Sequence, residues 1–140
     1  MDESTTQRYE VPARESTEGI QANAAALLLE SHDEVIDILE KHGIPHDQAG
    51  PIAEQVTRQP PTIEYEGSGS IAAMIAIAVS LAPLIKVMVP LLEPFSKQGA
   101  KLAYNIGMDI WKMLRKKLLE KNSIRLTEKK KKAENTRKQK

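Results

Sequence analysis

Cysteine is absent from the 140 residues. That excludes disulfide scaffolds, thiolate metal sites and thiol chemistry. Aromatic side chains are scarce: Tyr9, Tyr65, Phe95, Tyr104 and Trp111 are the whole set. Five rings are few for a large core and few for a surface that stacks nucleic-acid bases. The opening MDESTTQRYE lacks a basic n-region and an apolar h-region, so no secretory signal is read there. No glycine loop of the phosphate-cradling kind and no nucleophile elbow occurs. The histidines, His32, His42 and His46, are few and poorly placed for a metal. Gly43 and Pro45 stand between the last two, so the pair cannot share a continuous helix as ligands four apart would need to. No catalytic, cofactor-binding or metal-ligating residue is assigned. The chain reads as a non-enzyme with no cofactor and no small-molecule substrate.

What is present is charge, and it is unevenly placed. The formal net charge is +1. Residues 1–70 carry four basic against fourteen acidic residues, a net of −10; residues 71–140 carry sixteen against five, a net of +11. Such asymmetry points to contact with a membrane or a nucleic acid.

Periodicity divides the chain into parts, and all of the regular ones read as helix. Residues 1–18 are polar and form a disordered tail in this reading. Residues 19–58 form a small acidic helical hairpin or bundle. Within it, Ile20, Ala24, Leu27 and Leu28 share one face. Ser31 and Glu34 have the spacing of a capping box, and Gly43 sits where a left-handed helix terminus is wanted. Ala49, Ile52, Ala53 and Val56 make a third stripe before Pro60-Pro61. Residues 59–70, QPPTIEYEGSGS, read as a linker in which a short strand over 62–66 would have no evident partner. So small a head is expected to pack on another part of the chain or on a protein partner.

Residues 71–92, IAAMIAIAVSLAPLIKVMVPLL, contain only Ser80 and Lys86 as polar side chains. About 20 apolar residues suffice to cross a hydrocarbon core as a helix. The span 71–95 is therefore a candidate membrane segment, with Ile71, Ile75, Ile77, Val79, Leu81, Leu84, Val87 and Leu91 as the inserting side chains. A buried helix or hairpin of a soluble core fits the same polarity. Ala72, Ala76 and Ser80 recur at every fourth position, the small-residue spacing that lets helices associate closely in lipid, which would favour a homo-oligomer.

Residues 96–121 predict a basic amphipathic helix. Leu102, Ile106, Ile110, Met113, Leu114 and Leu118 share its apolar face, and Trp111 falls at the boundary. In an interfacial setting Lys86, Trp111, Lys112, Arg115, Lys116 and Lys117 would be the anchors. Residues 122–140 form a Lys-rich tail, and Lys129, Lys130, Lys131 and Lys132 are the candidates for contact with anionic lipid or nucleic acid. The sequence thus predicts an all-α, membrane-associated protein with a cytoplasmic basic C-terminus. Its action would be anchoring, scaffolding or oligomeric permeabilisation, with the acidic head as interaction module. The alternative is a soluble, cytoplasmic helical adaptor whose tail binds an acidic partner or nucleic acid.

Overall fold

The computed structural model of the chain describes residues 5–69, 73–122 and 127–128. It is a mixed α/β structure. In chain order it contains β1 (Thr6–Pro12), α1 (Thr17–Glu30), α2 (His32–Lys41), α3 (His46–Val56), β2 (Thr62–Ser68), β3 (Met74–Ser80), α4 (Ala82–Leu92), α5 (Gly99–Asn122) and the two-residue β4 (Thr127–Glu128). The strands form one antiparallel sheet in the order β2-β3-β1-β4. The expected all-α fold with a long apolar helix is therefore incorrect.

The decisive segment is 71–92. It does not form one helix but breaks at Leu81 into a strand and a helix of 11 residues. Ile75, Ile77 and Val79 alternate with Ala76, Ala78 and Ser80, and a two-residue period puts the branched side chains on one face and the small ones on the other. Ile77 and Val79 are fully buried. Pro83 lies in the first turn of α4, where its missing N–H costs nothing, so it starts a helix rather than bending one. No described helix is long and apolar enough to cross a membrane. The transmembrane assignment of 71–92 is overturned, and with it the helical-bundle architecture.

β3 finds its partners in two segments expected to be irregular. Residues 6–12, read as disordered tail, pair with all of β3 from Thr6 opposite Ser80 to Pro12 opposite Met74. The 59–70 linker supplies β2, with Thr62 opposite Ser80 and a bulge between Tyr65 and Gly67. One sheet face carries Tyr9, Val11, Ile63, Ile77 and Val79, which join a single core with residues of all five helices. The helices supply Leu28, Leu39, Ile52, Leu84 and Leu114, among others, to that core. The opposite face carries Arg8, Glu64, Ala78 and Ser80, and an Arg8–Glu66 ion pair at 3.3 Å crosses it.

The helices of residues 17–56 end for local reasons. Gly43 adopts φ +95°, its N–H donates to Glu40 O, and the N–H of buried Ile44 donates to Leu39 O at 3.1 Å. Together these make a Schellman terminus, which only a residue tolerant of positive φ permits without strain. The capping box at Ser31 does not form: Ser31 makes no side-chain cap, and its hydroxyl donates instead to Leu27 O at 2.6 Å.

Candidate functional site

α5 is the 24-residue helix on which the basic half of the chain is organised. Its apolar stripe, Ala103, Ile106, Ile110, Leu114 and Leu118, is buried against the rest of the core. α4 packs closely along it at Gly107, where a Cβ would lie 3.2 Å from Ile85 Cγ1 and 3.5 Å from Met88 Cε. Trp111 is 1% exposed. Its indole Nε1 donates to the Tyr9 hydroxyl oxygen at 2.8 Å, and the rings meet at a centroid distance of 5.9 Å and a tilt of 54°. Trp111 therefore joins β1 to α5 inside the protein and is not placed at a lipid boundary. Arg115 donates to the same hydroxyl oxygen at 3.1 Å, its guanidinium 5.8 Å from the Tyr9 ring centroid. That combines a charge-assisted hydrogen bond with a cation–π contact.

A second set of links ties α5 to the acidic α2. Lys117 donates to Glu34 and, at 3.0 Å, to the Ser31 hydroxyl. His42 Nε2 and Asp109 Oδ2 meet at 2.7 Å. Between these links runs an open groove of about 380 Å³, its carboxylates Glu34, Asp37 and Asp109 and ammoniums Lys41 and Lys112 set beside Ile38 and Met113. The charges along it nearly balance, so it gives no strong field of either sign. No described buried side-chain polar atom lacks a hydrogen-bond partner. No group of three or more potential metal ligands occurs among the described residues. The histidines are spent in pairs: His42 with Asp109, His46 with Glu40, and His32 near Asp33 at 3.8 Å. The Glu40 carboxylate, through its hydrogen bond and then its charge, raises the pKa of His46 above 6.5, with burial opposing and Asp47 assisting.

The residues singled out in the sequence are thus dispersed. Ile75, Ile77, Val79, Leu81, Leu84, Val87 and Leu91 lie within or against the protein's own core or are half-buried on β3 and α4, not on a lipid-facing helix. Ala76 and Ser80 sit on the sheet face opposite the helices, in a strand whose backbone is already paired on both sides, so they form no helix-association seam. Of the basic set, Lys86 is exposed on α4, Lys112 and Lys116 are exposed on α5, and Arg115 and Lys117 are turned to internal partners. Ile71, Ala72 and Lys129, Lys130, Lys131 and Lys132 lie outside the described residues.

No family model, curated protein or solved structure matches the chain. What remains is a helix fixed at two levels, to β1 through Tyr9 and to α2 through Glu34. Its outward lysines lead toward the basic end of the chain. The sequence reading missed the fixing residues because Tyr9 stood in a stretch taken as tail. The alternation of Tyr9 and Val11 with charged Arg8 and Glu10 was the available signal.

Proposed function

We propose that this protein is a non-enzymatic adaptor. The outward lysines of α5 and the basic residues that follow it in sequence, together the basic arm, serve an acidic protein partner. The observation that carries the reading is the division of labour on α5. Arg115 and Lys117 are committed to internal partners, whereas Lys112 and Lys116 are exposed one turn apart on the same helix. The helix is tied to β1 and α2 by these contacts, and the residues after it continue the sign: 123–140 carry eight basic against two acidic residues. The Lys117–Glu34 contact supports a carboxylate partner, since it shows this stretch of α5 already engaging an acidic helix of the same chain. Trp111 and Tyr9, the rings nearest the arm, are buried, which weighs against base stacking and hence against a nucleic acid.

The test is binding of a fluorescent glutamate-rich polypeptide by the intact protein and by a variant with Lys112, Lys116 and Lys129 to Lys132 all changed to Gln. The intact protein should bind with an affinity that falls steeply with salt, and the variant should lose that binding. Equal binding by both would sink the reading. Preferential capture of duplex DNA at 0.15 M salt, by about tenfold or more, would transfer the arm to phosphates instead.

A further inference from the structure

β2 comes first in the strand order β2-β3-β1-β4, so no described strand lies on its far side. Along such an edge, alternate residues aim their peptide groups outward. On β2 these are the odd-numbered ones, because Pro61 C=O and Ile63 N–H both turn away from β3 and are met by one side chain. Gln21 Nε2 donates to Pro61 O at 2.7 Å, and Gln21 Oε1 accepts from Ile63 N–H at 2.6 Å. Two bonds flanking Thr62 in this sense are what one residue of a neighbouring parallel strand would make. The side-chain amide of α1 thus occupies a single place in an otherwise missing ladder. The next place in the same pattern is Ile63 C=O with Tyr65 N–H, flanking Glu64, and no described strand fills it.

The surroundings of that place say what would fit. On the helix side, a groove of about 430 Å³ between α1 and β2 is lined by Glu18, Ala22, Ala25, Pro60 and Ile63, among others. Tyr65, on the same face as Ile63, is 60% exposed. Glu64 lies on the other sheet face as an exposed carboxylate beside the open edge, next to Glu66, whose carboxylate is paired with Arg8 of β1. A second copy's β2 is disfavoured in the register centred on Tyr65. Laid antiparallel about Tyr65, it would set Glu64 against Glu66 in both directions, and like charges opposite one another destabilise a strand pair.

We propose that the open edge of β2 takes an extended segment of a partner protein as a parallel strand. Its Lys or Arg side chains face Glu64, beside the Arg8–Glu66 pair, and its alternate apolar side chains enter the α1–β2 groove. Main-chain hydrogen bonds to Ile63 and Tyr65 supply the attachment, and the alternation of charge and bulk supplies the selectivity. The site is separate from the basic arm, so the two readings stand or fall independently.

The test uses the intact protein, isotopically labelled for NMR, and a fluorescent octapeptide of alternating Lys and Val. Three comparison peptides carry Glu for Lys, N-methyl groups along one edge, or the same residues in scrambled order. The Lys–Val peptide should bind and shift the amide signals of residues 62–66. The Glu and N-methylated peptides should bind at least about tenfold more weakly, as expected for loss of the ion pairs or of a main-chain hydrogen bond. Tyr65→Pro, which deletes the outward N–H, should weaken binding likewise. Should that variant misfold, Glu64→Lys with Glu66→Lys keeps the question open to experiment, because it should reverse the preference toward the Glu peptide. Equal binding of the N-methylated or scrambled peptide, or shifts confined to α2, would overturn the proposal. So would concentration-dependent self-association that broadens the Tyr65 amide, which would assign the edge to a second copy.

Discussion

The Tyr9 hydroxyl carries more of the architecture than its position near the chain start suggests. It accepts hydrogen bonds from the indole of buried Trp111 and from Arg115, and so connects the second strand from the sheet's edge to the long helix. Tyr9→Phe keeps the ring packing but leaves the indole N–H buried without an acceptor, a loss of about 1–3 kcal/mol. Urea unfolding should show a lower midpoint at unchanged slope. At His46 the Glu40 carboxylate favours the imidazolium, so the folded pKa stands above 6.5. The sign follows from linkage: the stabilisation is fully present below the unfolded value and is lost as pH rises through the folded one. An NMR titration should give a His46 midpoint above 6.5 in the parent protein and a lower one in Glu40→Gln. Ser31 shows why local rules fail at this scale. Its spacing to Glu34 has the form of a capping box, yet Lys117, 86 residues away, takes both side chains for a link between α2 and α5. A sequence window of a few residues does not contain that competitor.

Among the elements, the helices over 17–56 were legible and the sheet was not. Ile20, Ala24, Leu27 and Leu28 recur at a spacing only a helix brings to one face, and Gly43 marks a terminus by its backbone freedom alone. The run 71–92 carried two signals at once. Its length and its alanines spoke for an apolar helix. The alternation Ile75, Ile77, Val79 spoke for a strand, and pairing with β1 and β2 decided between them. The β1 pairing joins residues 62 to 74 positions apart and the β2 pairing residues 7 to 18 apart, and no periodicity announces either register. The outcome has a mechanical consequence in α4 and α5. Their close approach depends on Gly107, and a β-branched side chain there would press on Ile85 and Met88. Gly107→Val should destabilise the protein by about 1–3 kcal/mol through overpacking, although glycine within a helix is itself unfavourable. Thermal unfolding followed by circular dichroism would measure it. A variant as stable as the parent would mean that the two helices separate at little cost.

Over the whole molecule, the opposition of an acidic half and a basic half changes meaning once the chain is folded. The two halves are interleaved rather than held apart: α5 from the basic half lies against α1 and α2 from the acidic half, and β3 lies between β1 and β2. Some of the opposed charge is consumed inside the domain by Lys117 with Glu34. The remainder is what a partner would meet, and the candidate arm was legible only in its composition, because which lysines are spent and which are available is set by tertiary contacts. The distinction makes a sharp prediction. Lys117→Gln removes a cross-helix pair whose partners are 28% and 48% exposed, so solvent screening holds its stability loss to about 1 kcal/mol or less. Lys112→Gln and Lys116→Gln remove outward charges and should change stability by no more than about 0.5 kcal/mol. Binding of a glutamate-rich polypeptide should order the variants the other way, with Lys112→Gln and Lys116→Gln weakened and Lys117→Gln close to the parent. Denaturant titrations and anisotropy on the same three proteins would test both orders together. If all three lose binding equally, only total charge matters, and α5 does not select which cations face the partner.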